Sequence, residues 1–265
     1  MQHGSRASKK CHSAVLDRQL TFEIHRYTKQ PLAYIENDAV GCCDRIINPL
    51  VLLFLRILGL HPSTVSSLAH TWEQTYHRIK TIYGTSEEIY SSSTKNPLFG
   101  PGQGSTIGPF LWLLCFILIF LSLTKDTPAI HLSAVDTSYS VQYVGEAFVD
   151  NAGLGTNQQM QNASLLDNLE RLAQQWEKLL YSTGGALNLS KCFWFQLSWS
   201  WKTGKAKLNS ISDTPAELKL TSEGDVNHKI MIPRIEATSS FRILGVHLSP
   251  SGSNKGELAV MESFV

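Results

Sequence analysis

The sequence lacks the short patterns by which several large enzyme classes are recognised. It contains no Gly-x-x-x-x-Gly-Lys-Ser/Thr phosphate loop, because Gly104 is followed by Ser105, and no Gly-x-Ser-x-Gly turn that would present a hydrolytic serine. Its five cysteines form no Cys-x-x-Cys pair and no metal-ligand spacing with histidine. These absences argue against a P-loop nucleotide hydrolase, an α/β-hydrolase and a zinc-binding module.

The chain also has little net charge, +1 over 265 residues, so overall charge does not mark it as a nucleic-acid-binding protein. The distribution of charge is more informative. Residues 1–30 contain more basic than acidic side chains, and Lys191, Lys202, Lys205 and Lys207 follow one another without an intervening acid. Affinity for nucleic acids comes largely from Lys and Arg, so either stretch can contact phosphates; solvated surface explains each of them equally well.

Charge is absent altogether between Lys95 and Lys125, where the 14 residues from Phe110 to Leu123 are almost entirely apolar. A helix that spans a bilayer needs about 20 such residues. The sequence therefore predicts a buried helix, although hydropathy alone can score it as transmembrane; a membrane protein with one span near residues 107–124 is the alternative. The scattered cysteines and the lack of an N-terminal signal peptide predict an intracellular protein, in the cytoplasm or nucleus, without a membrane partner.

The spacing of apolar residues predicts helices that alternate with strands, and hence an α+β fold whose sheet carries helices on one face. The first helix is expected to turn Ala14, Val15, Leu16, Leu20 and Ile24 toward the core. The predicted helices cover residues 11–30, 44–58, 63–80, 110–123 and 165–181. The predicted strands cover residues 32–38, 141–149 and 193–201, with a short hairpin within 81–90, while 125–142 and 207–240 are expected to be irregular.

Two acidic residues stand at the ends of apolar, strand-like runs. Asp38 follows the run Ala33–Asn37, and Asp150 follows the run Glu146–Val149. A carboxylate at the end of a buried strand is a rigid mount for a divalent metal ion. Aspartate also caps helices, and this second role better explains Asp44, which precedes a long apolar segment.

Three further segments complete an ordered set: the glycine-rich stretch Phe99–Pro109, then Gly184–Cys192, then Phe241–Val246. Together with the segments around Asp38 and Asp150, they resemble the palm motifs of reverse transcriptases. The likeness is to the non-LTR-type retrotransposon enzymes, which carry Asp-x-x-x-x-aromatic-Asp, Gln-Gly and aromatic-x-Asp-Asp motifs. The N-terminal residues 2–9 likewise resemble the Gly-aromatic-Arg-Pro-Gly-Arg segment that precedes the palm in that family. Each motif alone is loose, whereas their order is specific and covers most of the chain.

The resemblance implies a palm-like antiparallel sheet packed with helices, and an RNA-directed DNA polymerase that uses two Mg²⁺ ions, or Mn²⁺, for nucleotidyl transfer. It makes Asp38 and Asp150 the catalytic, metal-binding residues, with Asn151 at a further metal-ligand position. The implied partners are an RNA or DNA template–primer, deoxynucleoside triphosphates and other segments of a retroelement polyprotein. The nucleotide- and template-binding positions carried over from the family are Arg6, Lys9, Cys43, Gln103, Gly104 and Lys191.

Three residues depart from the family pattern. Asn151 replaces the second carboxylate of the aromatic-x-Asp-Asp motif, and the amide removes one negative charge from the metal site. Cys43 replaces the Phe or Tyr whose ring blocks the 2′-hydroxyl of ribonucleotides, and Gly108 replaces a serine. The resemblance therefore implies a degenerate copy whose activity is impaired.

The implied organisation is a residual fingers segment at residues 1–30, a palm at 31–250 and a tail at 251–265, without a thumb. The tail is expected to have too little apolar content to fold alone. A non-catalytic palm remnant that binds nucleic acid is the alternative from another functional class.

Overall fold

The structure, a computed structural model, describes residues 3–4, 8–41, 43–91, 100–102, 105–134, 136, 138–157, 164–222 and 225–263. Its helices are α1 (Cys11–Thr28), α2 (Asn48–Ile57), α3 (Pro62–Glu73), α4 (Gly108–Asp126), α5 (Leu165–Ser182) and α6 (Lys255–Glu262). Its strands are β1 (Leu32–Val40), β2 (Tyr76–His77), β3 (Lys80–Thr81), β4 (Gly84–Thr85), β5 (Tyr90–Ser91), β6 (Ile130–Ser133), β7 (Ser140–Tyr143), β8 (Gly145–Phe148), β9 (Asn151–Thr156), β10 (Ala186–Leu187), β11 (Phe193–Leu197), β12 (Trp199–Lys202), β13 (Lys205–Leu208), β14 (Leu218–Ser222), β15 (Asp225–Ile232), β16 (Phe241–Ile243) and β17 (Val246–Leu248). The prediction of an α+β fold is confirmed.

The main sheet is antiparallel and is organised around β1. On one side β1 pairs with β9, which forms a hairpin with β8; on the other side it pairs with β10 and β11. The register sets Ile35 opposite Leu154 of β9 and Trp194 of β11, and Asp38 opposite Asn151. Side chains alternate along each strand, so directly opposed residues share one face of the sheet.

One face of this sheet, the α5 face, packs against α4 and α5. Ala33, Ile35 and Ala39 point into it and join a cluster that includes Phe116 and Trp176. The phenylalanine and tryptophan rings meet edge to face with centroids 5.2 Å apart. The long apolar run at residues 110–123 thus lies within helix α4, and only one side of this helix is buried against the core.

The opposite face, the α1 face, is also covered. Tyr34 and Phe195 pack there beneath Phe22 of α1, and Phe241 and Leu248 of the β16–β17 hairpin join the same cluster. The prediction that helices cover only one face is therefore wrong. The side chains of β1 are buried on both faces along nearly the whole strand, Ile35 on one face and Tyr34 on the other, as is usual for a sheet covered on both sides.

Helix α1 buries Ala14 and Val15 as predicted, but the prediction is wrong for the other three residues. Leu16, Leu20 and Ile24 are between 38% and 53% exposed, whereas Arg18 and His25 are fully buried. The reason lies in the sheet, because Glu36 of β1 and Glu146 of β8 present buried carboxylates under this helix and Arg18 pairs with both. The spacing of apolar residues cannot predict the buried face of a helix when that face carries a charged residue paired with buried carboxylates.

Helix α4 is, within the described residues, the one helix long and apolar enough to cross a membrane by length and composition. Of its most apolar 18-residue window, 44% is buried inside the protein. The remaining side exposes Phe110, Ile117, Leu118 and Leu121 by 40% to 57%. A core helix of a soluble protein passes the same test of length and composition.

The predicted start of α2 and the predicted end of α3 are wrong. Pro49 lies in the first turn of α2, where a missing N–H costs nothing, so the helix begins at Asn48 with Ile47 as its N-cap. Asp44 is exposed in the preceding turn and caps no helix, so its predicted capping role is wrong. Helix α3 ends at Glu73, and the hairpin β3–β4 follows within the region where a hairpin was predicted.

Two stretches predicted to be irregular form ribbons. Strands β6 and β7 pair with each other, and Gly145, at a φ of +156°, separates β7 from β8 in what was predicted as one strand. Strands β14 and β15 also pair, and Leu218 and Leu220 of β14 are buried against the main core. The side chain of Gln174 on α5 accepts the Thr221 N–H at 2.8 Å, which fixes this ribbon to the helix.

Candidate active site

The β8–β9 hairpin brings Asp150 to Asp38, although the two residues lie far apart in the sequence. The hairpin turn consists of Val149 and Asp150 only, because Phe148 pairs directly with Asn151. The backbone carbonyl of Asp150 accepts the Ala39 N–H at 2.8 Å, and Asn151 lies directly opposite Asp38. The two predicted metal ligands therefore meet at one end of adjacent strands.

Val149 holds this turn in a conformation that its side chain opposes. Its φ is +56°, and Asp150 is not among the positive-φ residues, which is the pattern of a type II′ turn with its first central position normally filled by glycine. A β-branched residue at positive φ is strained and needs external support. Trp112 of α4 provides it, because the indole N–H donates to the Val149 carbonyl at 2.7 Å. The position of Asp150 thus depends on a helix on the α5 face.

Lys191 binds the first carboxylate. Its ammonium donates to Asp38 Oδ2 at 2.8 Å from the short 3₁₀ helix Leu189–Lys191, while the Asn188 N–H donates to the Asp38 carbonyl at 2.8 Å. The Lys191 side chain is 63% exposed, and that of Asp38 is 16% exposed. The hydrogen bond to Asp38 raises the pKa of Lys191, so this residue brings a stable positive charge to the site.

The second carboxylate lies in a less favourable environment for its charge. Burial raises the pKa of Asp150 above its ordinary value, and the negative charge of Asp38 raises it further. The Lys191 ammonium opposes both effects. A cation between the two carboxylates would relieve this repulsion.

The donor set fits a divalent cation, with one charge fewer than the family pattern supplies. Asn151 shares a face with Asp38, and its Oδ1 atom is buried without a hydrogen-bond partner. Carboxylate and amide oxygens are the ligands that Mg²⁺ and Ca²⁺ prefer. Across the described part of the chain, no group of three or more His, Cys, Asp or Glu side chains lies close enough to hold a metal ion. Asp38, Asp150 and Asn151 would therefore hold it with two carboxylates and a neutral amide.

The glycine-rich segment lies against Cys43, in the turn that follows β1. A Cβ at Gly100 would collide with the Cys43 carbonyl oxygen, and a Cβ at Gly108 would lie 3.3 Å from the Cys43 sulfur. Gln103 and Gly104, which the resemblance places at the template, lie outside the described residues, as does Arg6. The segments on either side of Gln103 and Gly104 nevertheless pack beside the predicted nucleotide-binding position.

The N-terminal segment runs beside β8. The His3 N–H donates to the Ala147 carbonyl at 2.7 Å, and the imidazole of His3 lies 3.0 Å from the Asp17 carboxylate. Lys9 is exposed just before α1. No ion pair joins Lys9 to the carboxylates of the site among the residues that the structure describes. The structure thus brings together Asp38, Asp150, Asn151 and Lys191, and leaves Lys9 at the surface.

A buried polar network beneath the site was not predicted from the sequence. Arg18 donates to Glu146 at 2.7 Å and lies 3.4 Å from Glu36, and the Tyr34 hydroxyl donates to Glu146. All four side chains are at most 1% exposed. Burial raises the pKa of Glu36 to about 8, with the charge of Arg18 opposing and that of Glu146 adding to the shift. Glu36 is two residues from Asp38 on the same face, so this network supports the strand that carries the first carboxylate.

Two glycines of β9 make room for this network. Gly153 and Gly155 both lie under the Tyr34 ring, and a Cβ at Gly153 would overlap the tyrosine hydroxyl. The ring can therefore cross β9 and reach Glu146 on β8. Alternating glycines in an otherwise apolar strand are the sequence signal for such a close approach.

No family model and no curated protein matches the chain. Among solved structures, it is similar to the apo telomerase of Candida tropicalis truncated from its C-terminal domain, with a TM-score of 0.46 and 14% identity over 87% of this chain and 39% of that one. It is also similar to the telomerase of Candida albicans in complex with a TWJ fragment of telomeric RNA, with a TM-score of 0.45 and 13% identity over 78% of this chain and 33% of that one. The chain thus spans well under half the length of either protein. Both the identity and the TM-score are too low to assign the chain to a family.

Proposed function

We propose that this chain is the palm-like part of a reverse transcriptase of retroelement origin, an RNA-directed DNA polymerase whose nucleotidyl transfer is impaired in this copy. The observation that supports it most is the convergence of Asp38, Asp150 and Lys191 from three separate sequence motifs. Each stands in the order that the resemblance requires. Structural packing alone does not demand two carboxylates and an ammonium at one strand end.

The residues fit the binding of metal ions and of the incoming triphosphate. Two divalent ions, when bound, activate the primer 3′-hydroxyl and neutralise the triphosphate in an in-line displacement. Asp38 and Asp150 would hold such ions from rigid positions, one at the end of β1 and the other in a two-residue turn. The exposed ammonium of Lys191 would meet the negative charge of the incoming triphosphate.

The same site explains why activity would be weak. Asn151 offers an oxygen without charge, and Lys191 competes with a metal ion for Asp38. These two observations also favour the second candidate function, a non-catalytic palm remnant that binds a nucleic-acid template. The two functions differ in whether metal-dependent nucleotide incorporation occurs.

Primer extension on an RNA template, with Mg²⁺ or Mn²⁺, tests the proposal directly. The four proteins compared are the unchanged chain, Asn151→Asp, Asp38→Ala and Asp126→Asn; the last removes an exposed carboxylate at the end of α4 as a matched control. Restoring the missing charge in Asn151→Asp should raise extension at limiting metal by about tenfold or more, which corresponds to ~1.4 kcal/mol of metal binding. Asp38→Ala should abolish extension, and Asp126→Asn should leave it unchanged.

Circular dichroism and thermal unfolding establish that each variant is folded before its activity is compared. Folded proteins that show no extension in any variant would contradict the polymerase and favour the template-binding remnant. A gain in Asn151→Asp that persists in the Asp38→Ala background would show that the activity does not come from this site.

A further inference from the structure

The β12–β13 hairpin carries a face of lysines away from the core. In its register Lys202 lies opposite Lys205, and Lys207 lies opposite Ser200. Directly opposed residues and those two apart on one strand share a face, so the three lysines, named here the lysine face, project together. All three are exposed.

The other side of the hairpin fixes it to the protein. Trp199 and Leu208 pack on the cluster of the α1 face, and the Lys29 ammonium lies 5.6 Å from the centroid of a Trp199 ring. The Asn209 N–H donates to the Ser198 carbonyl at 2.9 Å and closes the base of the hairpin. Thr203 and Gly204, at φ +50° and +76°, form a type I′ turn that suits a tight, twisted ribbon. The lysine face is therefore held on a rigid element.

Within the hairpin, no acid balances this charge. Like charges directly opposed on two strands destabilise a ribbon, and Lys202 and Lys205 are such a pair. The sequence holds no Asp or Glu from Lys191 to Lys207. Asp213 lies 3.5 Å from Lys207, but both side chains are substantially exposed, so the pair contributes little. An arrangement that costs stability in the free protein is explained if an anionic partner lies across it.

We propose that the lysine face binds the phosphate backbone of the primer–template duplex whose growing end lies at Asp38 and Asp150. The inference rests on the proposed function for the identity of the duplex. Lys202 and Lys205 form an opposed pair across the ribbon, and Lys207 lies about 7 Å, two residues of a strand, from Lys205, so the long side chains can approach separate phosphates. Contacts between lysine and phosphate carry no sequence information, as a polymerase requires.

The sheet register sets the reach of this contact. Strand β11 leaves the main sheet beside Leu32, six residues along β1 from Asp38, so the base of the hairpin lies roughly 20 Å from the carboxylates. A duplex rises about 3.4 Å per base pair, so about six base pairs span the distance to the base of the hairpin. A single strand is too flexible to be held in register over that distance, whereas a duplex is stiff.

Fluorescence anisotropy with a labelled RNA–DNA stem closed by a loop tests the inference. The comparison is between the unchanged chain and a triple variant, Lys202→Gln, Lys205→Gln and Lys207→Gln, at salt concentrations from about 50 to about 200 mM. With a stem of about 14 base pairs, the slope of log affinity against log salt should be smaller in the variant by about 2 to 3, because each phosphate contact contributes about 0.9. Over this salt range the unchanged chain should lose roughly 40-fold more affinity than the variant.

Two controls isolate the position of the charges. Lys80→Gln, Lys125→Gln and Lys178→Gln together remove the same charge from exposed sites on other elements and should leave the slope unchanged. Asp213→Asn removes the acid beside Lys207 and should tighten binding. A stem of about five base pairs cannot reach the hairpin. The unchanged chain and the hairpin triple variant should therefore show the same slope of log affinity against log salt with this stem.

Several results would overturn the inference. Equal salt slopes for the unchanged chain and the hairpin variant on the long stem would do so. An equally reduced slope in the control triple variant would do so too, as would a reduced slope of the hairpin variant on the short stem. A single strand that binds as tightly as the duplex, and that loses affinity in Trp201→Ala, would show that the hairpin stacks unpaired bases. Failure of the proposed function is separable: a lysine-dependent slope without any primer extension contradicts the polymerase and leaves the binding surface intact.

Discussion

Glu36 is a buried carboxylate whose ionisation the fold opposes, and Glu36→Gln is the substitution that exposes the cost. The side chain is 1% exposed, and it shares the single guanidinium of Arg18 with Glu146. Burial and the second carboxylate raise the pKa of Glu36 to about 8, against an unperturbed value of 4.5. Glutamine keeps the shape of the side chain and removes the proton that titrates.

The sign of the effect follows from the two pKa values. Between pH 4.5 and about 8 the folded protein retains a proton on Glu36 that the unfolded chain releases, so the free energy of unfolding falls as the pH rises. One group contributes at most ~1.4 kcal/mol per pH unit, which amounts to a few kcal/mol over the window. Glu36→Gln should flatten this dependence while Arg18 stays paired with Glu146. Burial lowers the pKa of His25, which gives the opposite slope, so the difference between the two proteins is the informative quantity.

Urea unfolding followed by tryptophan fluorescence, at pH values from about 5 to about 8, measures this difference. Glu73→Gln makes the same chemical change at an exposed position and should run parallel to the unchanged chain at every pH. The reasoning is refuted if Glu36→Gln also runs parallel to the unchanged chain. It is equally refuted if the unchanged chain gains stability relative to the glutamine variant as the pH rises.

Two further substitutions test the packing around the site. Gly153→Ala should lower the free energy of unfolding by about 2 kcal/mol or more, because the new methyl group overlaps the Tyr34 hydroxyl that binds Glu146. Urea unfolding should show a smaller loss when the same substitution is made in a Tyr34→Phe background. An equal loss in that background would contradict the explanation. Trp112→Phe should cost about 1 kcal/mol through the lost donor to the Val149 carbonyl. In a double-mutant cycle with Val149→Gly, which frees the turn from strain, that cost should shrink, and strict additivity would show that the two residues are not coupled.

The sequence predicted the parts of the site that adjacent strands determine. Asp38 and Asp150 each end an apolar run, and strand pairing alone carries both to one end of the sheet. Lys191 was predicted by resemblance, and its contact with Asp38 depends on the short helix that follows β10. Only the folded protein shows that the Asn151 Oδ1 atom has no hydrogen-bond partner and that Lys191 forms an ion pair with Asp38.

Two of the failures share a physical cause: the partner that decides the local structure lies far away in the sequence. Helix α1 turns Arg18 inward because Glu36 and Glu146 lie beneath it, and no pattern within the helix itself reports them. The β14–β15 ribbon is held by α5 through Gln174, and its own sequence is polar. Pro49 was a readable signal for the start of α2, and its preference for the first helical turn overrides the capping tendency of Asp44.

The contact between Trp112 and Val149 should leave a trace in the history of this chain. A valine at positive φ persists only while a donor from α4 holds its carbonyl, whereas a glycine there needs no such support. Among descendants of one ancestral gene, position 112 should keep a side chain with an N–H donor wherever position 149 is not glycine. Where position 149 is glycine, the residue at position 112 should vary without this restriction. Whether positions 112 and 149 vary together in related sequences therefore shows whether selection still maintains the position of Asp150.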